Sequence, residues 1–418
     1  MPASPLGKFL AAAPGRSPID AILEAVRLHL GMEIAFASRF VGDQRQFTHI
    51  NSELDLPAAP GDCEPLEESC CYHILQGRLP ELMHDAQAYE LARSVPIVPA
   101  LPVGAHMNVP LRLRDGSVYG SFCCLSRSAD HSLTERDLAT LRAFADIAME
   151  QIEAQVDAEQ HRDAVTARIR AAIAGNQPAI VLQPIHRLDT GRSAGAEALA
   201  RFADAGIRPP NLWFEDAFAV GLGVELELAA VANALAATAY VPADHYVSIN
   251  ASPETVLSDR LAPLLAASPR SDLVIEVTEH ARVDDYPALR RALDGLRRYA
   301  RIAIDDVGAG YSSLRHIIAL EPDILKLDMS LTRDVDHDPA RRALAGAMVG
   351  FASRIGASIV AEGVERAEER DVLRDLGVAY GQGYLFSRPK PLVAAQQHML
   401  GLSAAAPGRR PRARRNAA

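Results

Sequence analysis

Eight short β-type segments separated by helical stretches follow Gln177, and this alternation limits the fold more than any other feature of the chain. The segments are AIVLQPI at 179–185, SAGAEALA at 193–200, HYVSIN at 245–250, DLVIEVT at 272–278, RIAIDD at 301–306, DILKLD at 323–328, ASIVAEG at 357–363 and VAYGQGYLF at 378–386. Strands that alternate with helices pair in parallel, and eight such units favour a closed barrel over an open sheet. We therefore expect an α/β barrel in the carboxy-terminal half.

Polar side chains come where these predicted strands end. They are Glu197, Asn250, Glu276, Asp305 with Asp306, Lys326 with Asp328, Glu362 and Gln382. Taken singly, an acid in this position is more often the cap of the next helix, and a lysine is more often a solvated surface residue. In a parallel barrel, however, all the strand ends meet at one rim. The convergence of so many polar groups therefore favours a functional site.

The acids of this rim predict a metal site. Carboxylates crowded into one mouth repel each other strongly unless cations are present. Oxygen ligands favour magnesium, manganese or calcium over zinc. The adjacent Asp305 and Asp306 suit two ions about 3.5–4 Å apart, a pair that activates water for attack on a phosphate ester.

Other residues are expected to support this chemistry. Lys326 and Asp328 are two apart on one predicted strand, so both should face the same side. The ammonium there could hold the attacking water or offset charge in the transition state. Gly308 and Gly310 would allow a mobile loop. Glu279, which follows the strand end at Glu276, could anchor that loop.

The ordered motifs resemble those of the EAL-domain family of cyclic di-GMP phosphodiesterases over residues 165–402. They are QPI at 183–185, EALAR at 197–201, SINAS at 248–252, EVTE at 276–279, DDVGAGYSSL at 305–314, DILKLD at 323–328, AEGVE at 361–365 and GQGYLFSRP at 381–389. The resemblance implies a modified (β/α)8 barrel that cuts one phosphodiester of cyclic di-GMP to give linear pGpG. It also implies two Mg²⁺ or Mn²⁺ ions in each active site.

The same resemblance implies a role for each matching residue. One ion would be bound by Glu197, Asn250, Glu276 and Asp305, and the other by Asp305, Asp306 and Glu362. Lys326 would contact the catalytic water and Glu279 would anchor the loop, while the substrate side would include Gln183, Leu199, Arg201, Asp328, Glu365 and Gln382. Three positions depart from the family pattern, namely Ala200, Val307 and Ala309. None removes a ligand, so an active enzyme is expected, with a silent receptor or scaffold as the alternative.

The amino-terminal half resembles a GAF domain, which we expect over residues 16–153. The resemblance lies in ESCCYHILQGRLPELMHDA at 68–86 and GAHMNVPLRLRDGSVYGSFCCLS at 104–126. It implies a sensor of an unknown small ligand or redox signal. The neighbours Cys70 and Cys71, and the neighbours Cys123 and Cys124, could form a redox or chromophore site, although core packing is the commoner use of cysteine. His73, His84 and His106 could ligate a metal or haem, although scattered histidines are usually structural.

A long helix over 133–175 should connect the two domains. A capping box at Ser132 and Glu135 is expected to begin it. An apolar seam then follows at Leu138, Leu141, Ala145, Ala148 and Ile152. This seam could form a coiled coil in a homodimer, or it could pack against its own domain. We expect a homodimer, with both readings of the seam left open.

Charge and hydropathy limit which partners and which cellular location can be expected. The formal net charge of −10 argues against binding of a nucleic-acid polymer. The first residues lack a secretory signal, and the most apolar stretch, 343–360, has the pattern of a buried helix followed by a strand. We therefore expect a cytoplasmic protein with no membrane span and with reduced thiols. The basic segment 403–418 is expected to be a disordered tail.

Overall fold

The computed structural model describes residues 17–203, 208–277, 285–308 and 314–402. The chain divides into two compact units, and the boundary between them falls between His161 and Arg162. Each unit has its own apolar core, and each is described by itself below.

The first unit is an antiparallel sheet with helices on both faces. Its elements are α1 (Pro18–His29), β1 (Ile34–Val41), β2 (Gln44–Ser52), β3 (Cys63–Pro65), α2 (Cys70–Leu75), β4 (Leu82–Met83), α3 (Glu90–Arg93), α4 (Ile97–Ala100), β5 (His106–Arg112) and β6 (Val118–Leu125). The strand order is β3-β2-β1-β6-β5-β4. The predicted hairpin between β5 and β6 is confirmed. Its turn contains Gly116 at a φ of 86°, and Asp115 accepts a hydrogen bond from the Ser117 amide at 2.8 Å.

The two faces of this sheet contribute to separate apolar clusters, and residues alternate between the faces along each strand. On β6, Cys124 faces the layer made by α1, and Cys123 faces the layer made by α2. The two neighbouring thiols are therefore buried on opposite sides of the sheet.

The long helix, α5, runs from Glu135 to Ala174, but the predicted cap is wrong. The hydroxyl of Ser132 donates to Asp130, not to the helix. The cap is made two residues later by Thr134, whose amide and hydroxyl both donate to the Asp137 carboxylate, at 2.8 and 2.7 Å. Leu133 is buried in the core of the first unit. This burial fixes the chain just before the helix and places Ser132 in the preceding turn.

The predicted seam of α5 packs against its own domain. Its residues Leu138, Leu141, Ala145, Ala148 and Ile152 are all at least 96% buried, within the same apolar cluster as α1 and the sheet. The coiled-coil reading of this seam is therefore wrong. Further along α5, Val165 and Ile169 belong to a separate cluster of the second unit, with Phe202 and Trp213.

The second unit is a closed barrel of eight strands, as predicted. Its elements are β7 (Ala179–Arg187), β8 (Ser193–Arg201), α6 (Pro210–Ala219), α7 (Gly223–Ala237), β9 (Tyr246–Ala251), α8 (Pro253–Leu257), α9 (Leu261–Ala266), β10 (Leu273–Val277), α10 (Tyr286–Leu296), β11 (Arg301–Val307), α11 (Leu314–Leu320), β12 (Ile324–Leu327), α12 (Met329–Thr332), α13 (Pro339–Ile355), β13 (Ser358–Ala361), α14 (Ala367–Asp375), β14 (Tyr380–Gly381) and α15 (Leu392–Met399). The expectation of parallel pairing throughout is wrong for β7, which runs antiparallel to both β8 and β14. The chain enters the barrel in the opposite sense to the other seven strands.

The interior of the barrel has an apolar layer and a polar layer. The apolar layer is made by Ile185, Tyr246, Val274, Ala303, Ile324 and Val360. Two residues further along the same five parallel strands come Ser248, Glu276, Asp305, Lys326 and Glu362. On the inverted β7 the order is reversed, so that Gln183 precedes Ile185. Alternation along the strands therefore gathers polar side chains in one layer next to the apolar layer.

Among the described helices, none combines the length and the apolar character that crossing a membrane would require. The stretch 343–360 forms the end of α13 followed by β13, as the sequence predicted.

Candidate active site and metal centre

The polar layer is built around a bulge in β11. In its pairing with β12, Ile304 lies opposite Leu325 and Val307 lies opposite Leu327, so Asp305 and Asp306 together face the single residue Lys326. Asp306 has a φ of 54°, in the left-handed region that aspartate adopts more readily than most residues. Adjacent residues on a regular strand point to opposite faces. The bulge removes this constraint and lets both carboxylates contribute to one site.

Lys326 is buried at the centre of this layer and pairs with four carboxylates. Its Nζ lies 2.6 Å from Glu362, 2.7 Å from Glu276, 3.0 Å from Asp305 and 3.7 Å from Glu197. Burial by itself lowers the pKa of Lys326, but the surrounding carboxylates raise it well above its ordinary value. The side chain is therefore a fixed positive charge and not a proton acceptor.

One ammonium does not balance this number of acids. Burial raises the pKa of Glu276 well above its ordinary value, and the charge of Glu197 raises it further. Burial likewise raises the pKa of Glu362 to about 8, assisted by Asp305 and opposed by Lys326. The cluster thus carries an excess of negative charge that favours additional cations.

Glu197 is held by hydrogen bonds from two amide side chains. Asn250 donates to Oε1 at 2.9 Å, and Gln382 donates to Oε2 at 2.7 Å. Burial opposes ionisation of Glu197, but Lys326 and these two donors lower its pKa below the ordinary value. The cross-strand pairing of Glu197 with Gln183 on one side and with Ser248 on the other fixes its position in the barrel.

Asp305, Asp306 and Glu362 form a group suited to a metal ion. One oxygen atom from each lies within 4.8 Å of the others, and all three side chains are half-buried. The donors are all carboxylate oxygens, which suit magnesium or manganese. Within the described residues, this is the one group of acidic, histidine or cysteine side chains that meets this criterion. The residues present therefore fit a divalent cation.

A cleft of about 890 Å³ opens beside these groups. Its lining includes Asn250 and Asp306 from the site itself, and Leu199 and Arg201 from the end of β8. Phe214 of α6 adds an aromatic wall. Ligand sites commonly have volumes of roughly 300–1,000 Å³, so the cleft can take a ligand of nucleotide size.

Two of the predicted substrate residues are not part of the lining of this cleft. Gln183 and Gln382 are buried and bonded to each other, because Gln382 Nε2 donates to Gln183 Oε1 at 3.1 Å. Gln183 in turn donates to the Ser387 carbonyl at 3.2 Å. Through these hydrogen bonds Gln382 orients the Glu197 carboxylate directly, and Gln183 holds Gln382 in place.

Two further predicted residues lie beyond their strands. Asp328 follows the end of β12 and caps α12, accepting from the Ser330 amide at 2.9 Å, so alternation along a strand does not place it beside Lys326. Glu365 is exposed and pairs with Arg333 at 2.9 Å.

The predicted loop is described only in part. Gly308 has a φ of 110°, and a Cβ there would lie 2.2 Å from Leu331, so the position requires glycine. Glu279, Gly310 and Ala309 lie outside the described residues. Val307, one of the departures from the family pattern, is buried in the barrel core.

Ser248 was missed in the sequence. Its hydroxyl donates a hydrogen bond to Glu276 Oε1. The sequence alone could have identified Ser248 as a site residue, because it lies two residues before Asn250 on one strand and so shares its face.

In the first unit, the three predicted histidine ligands do not form a metal group by the same criterion. His106 is buried beside an apolar cavity of about 60 Å³ whose lining also includes Phe36, Arg45 and Cys70. Burial lowers the pKa of His106 to about 4, and the Arg45 charge adds to this effect. The imidazole is therefore neutral at physiological pH.

Family models match both halves of the chain. The EAL domain model matches residues 166–389, and the GAF domain model matches residues 17–152. The chain belongs to the EAL-domain family. Its EAL domain is the barrel, and its GAF domain is the six-stranded unit.

Curated relatives share the EAL domain. RocR of Pseudomonas aeruginosa, a cyclic di-GMP phosphodiesterase, is 31% identical over 243 residues, which are 52% of this chain and 58% of that protein. PdeL of Escherichia coli, also a cyclic di-GMP phosphodiesterase, is 31% identical over 223 residues, which are 50% of this chain and 62% of that protein. The chain thus covers less than two thirds of the length of either relative.

A solved structure resembles the fold over most of the chain. The EAL enzyme Bd1971, in a form with cAMP and cyclic di-GMP bound, has a TM-score of 0.54 at 18% identity. The match covers 88% of this chain and 93% of that chain. At this identity the likeness concerns the fold alone.

Proposed function

We propose that this protein is a cyclic di-GMP phosphodiesterase that hydrolyses one phosphodiester bond to give linear pGpG. The observation that carries the proposal is the acidic cluster around Lys326 beside the 890 Å³ cleft, which Asn250 and Asp306 line. The names of RocR and PdeL support the choice of substrate, because each is 31% identical to this chain over about half of its length.

Charge balance supports a requirement for two divalent ions. Glu197, Glu276, Asp305, Asp306 and Glu362, taken with Lys326, leave four net negative charges when all are ionised. Two divalent cations would neutralise them. We propose that Glu197, Asn250, Glu276 and Asp305 hold one Mg²⁺ or Mn²⁺, and that Asp305, Asp306 and Glu362 hold the other. Such ions supply an activated water and stabilise charge on the transferring phosphate.

The protein's own side chains would have the remaining roles in catalysis and substrate binding. Lys326 holds its neighbouring carboxylates together and adds a fixed positive charge beside the reacting phosphate. Arg201 and Leu199, at the end of β8, would contact the substrate from one wall of the cleft. The guanidinium can bind phosphate oxygens, and the ring of Phe214 can pack against a base. Gln382 and Gln183 would act by orienting Glu197.

The test is incubation of the purified full chain with cyclic di-GMP and Mg²⁺ or Mn²⁺, followed by chromatography for pGpG. We expect product that depends on the ion and disappears in Glu197→Gln, which is nearly the same size but has lost its charge. Glu368→Gln, at an exposed position of α14, is the matched control. Binding without product, unchanged by either substitution, would instead identify a receptor.

We further propose that the GAF domain senses a small ligand or redox signal and regulates the barrel. The cavity lined by Arg45 and His106 supports this role, since it combines an apolar interior with two polar groups. Removing residues before 165 tests it. An unchanged rate in the truncated protein, under both oxidising and reducing conditions, would contradict regulation by this domain.

A further inference from the structure

Two buried thiols face each other inside the GAF domain. Cys71 on α2 and Cys123 on β6 have their sulfur atoms 3.5 Å apart, and each side chain is at most 1% exposed. Both cysteines are free thiols. Buried cysteines commonly act as small apolar residues, so the distance alone does not establish a function.

A buried guanidinium accompanies this pair. Arg45 is 3% exposed, and its Nη1 donates to Cys71 Sγ at 3.0 Å, while Nη2 pairs with Glu64. A buried positive charge is costly unless anionic partners surround it. Glu64 supplies one such partner, and a Cys71 thiolate would supply a second. An adjacent arginine is also a recognised means of stabilising a reactive thiolate.

The protonation of the two sulfur atoms is asymmetric. The hydrogen bond from Cys123 and the charge of Arg45 lower the pKa of Cys71 below its ordinary value, against the effect of burial. Burial raises the pKa of Cys123, and its contact with Cys71 raises it further. Burial also raises the pKa of Cys70, the neighbour of Cys71, to about 12. Cys71 is therefore favoured as the thiolate, and Cys123 is the protonated thiol 3.5 Å away.

A cavity of about 80 Å³, lined by both polar and apolar side chains, reaches Cys71. Its lining includes Cys71, Asn108 and Ser121 inside, with Glu81 and Arg112 towards the surface. A cavity needs roughly 10–15 Å³ to hold one water molecule, so a hydrogen peroxide molecule can fit beside Cys71. A metal ion is disfavoured because the guanidinium already occupies the cationic position next to this sulfur.

We propose that Cys71 and Cys123 form an oxidation site for hydrogen peroxide and close to a disulfide. The Cys71 thiolate attacks one peroxide oxygen, so that an S–O bond forms, the O–O bond breaks and hydroxide leaves. Cys123 then attacks the Cys71 sulfur, which forms the S–S bond and breaks the S–O bond. The second hydroxide released takes the Cys123 proton to become water. Two electrons pass from the thiols to the peroxide.

Closure requires only a local movement. The sulfur atoms must approach from 3.5 Å to about 2.05 Å, the length of a disulfide bond. α2 would move towards β6 or a side chain would rotate. Cys70 on the same helix lines the 60 Å³ cavity, so closure would also alter the wall of that cavity.

The experiment uses the full chain carrying Cys63→Ser, Cys70→Ser and Cys124→Ser, which leaves only Cys71 and Cys123. The reduced protein is treated with increasing hydrogen peroxide, and thiols are counted in denaturant before and after dithiothreitol. We expect the loss of both thiols together and a cross-linked peptide pair that dithiothreitol separates. The wild-type chain should give the same cross-link by mass spectrometry.

Two further variants test the order of events and the role of Arg45. Cys123→Ser in this background should leave a sulfenic acid on Cys71 that dimedone traps, whereas Cys71→Ser should leave Cys123 unreacted at the same peroxide concentration. Arg45→Gln should slow the oxidation at least tenfold. If wild type and the two-cysteine protein keep both thiols at excess peroxide, or if Cys123 reacts equally well without Cys71, the proposal is wrong.

Discussion

The ammonium of Lys326 faces a two-residue bulge made by Asp305 and Asp306, and it lies 3.0 Å from Asp305. The bulge and the lysine belong to neighbouring strands, so the backbone pairing of the barrel sets their separation. The pairing of the two strands therefore places the positive charge of Lys326 beside the negative charge of Asp305.

Replacing Lys326 by methionine should destabilise the protein in the absence of divalent ions. The substitution keeps the length of the side chain but removes the buried cation shared by four carboxylates. Loss of one partner of a buried ion pair costs about 3–5 kcal/mol of unfolding free energy. Chemical denaturation with and without Mn²⁺ measures this cost, and Mn²⁺ should restore part of the loss. Lys390→Met, at a half-buried position, is the control, and equal stability of the two variants would contradict the role given to Lys326.

Substitutions of Asp306 separate its carboxylate from its backbone conformation. Asp306→Gly keeps access to the left-handed φ of 54° but removes the ligand, whereas Asp306→Ala loses both. Both variants should lose at least about 100-fold in turnover, because a metal ligand stabilises the transition state by several kcal/mol. Only Asp306→Ala should also melt at a lower temperature. Equal melting of the two would show that the bulge tolerates any residue, and full activity of Asp306→Gly would exclude the carboxylate as a ligand.

The two buried glutamines should have graded effects on metal affinity. Gln382→Leu removes the 2.7 Å hydrogen bond to Glu197, whereas Gln183→Leu removes the bonds to Gln382 and to the Ser387 carbonyl and leaves the bond to Glu197 in place. We expect about a tenfold loss of Mn²⁺ affinity and turnover for Gln382→Leu, as for the loss of a hydrogen bond worth about 1.4 kcal/mol to a charged group. The loss for Gln183→Leu should be smaller. Calorimetric titration with Mn²⁺ makes the comparison, and the reverse order would mean that Gln183 acts directly.

The predicted seam on α5 gives a test of domain packing. Leu141 is fully buried in the GAF domain, so Leu141→Ala should lower the unfolding free energy of that domain by about 2–5 kcal/mol. The oligomeric state, measured by light scattering, should not change. Glu150→Ala, on the exposed face of the same helix, should leave stability nearly unaltered. Dissociation of an oligomer without a loss of stability would restore the coiled-coil reading.

The barrel could be predicted because each strand combines a strong apolar pattern with a polar end. The direction of β7 could not, because alternation of side chains is the same whichever way a strand runs. The sequence contains one indication of this direction. On β7 the polar Gln183 precedes the apolar Ile185, whereas on β10 the apolar Val274 precedes the polar Glu276. Direction is decided by pairing with distant strands, and a local pattern contains no information on that pairing.

The sequence predicted which types of residue form the site, but it did not predict the backbone conformation that brings them together. Asp305 and Asp306 are adjacent, and a regular strand would have separated their side chains. The bulge that unites them depends on the pairing with β12. The cap of α5 shows a related limit, since Ser132 with Glu135 and Thr134 with Asp137 both match the capping pattern. Burial of Leu133 decides between them, and burial is a property of the folded domain.

The inversion of β7 also sets where the polypeptide reaches the barrel. Because Ala179 pairs with Arg201, the first residue of β7 lies at the rim where β8 ends, beside the cleft. In an all-parallel barrel this junction would lie at the opposite end of β7, about 25–30 Å away for a strand of nine residues. The last turns of α5 therefore arrive on the side of the cleft, where Ile169 packs with Trp213 on the helix that supplies Phe214 to the cleft. The incoming segment and this wall of the cleft form one continuous layer of side chains.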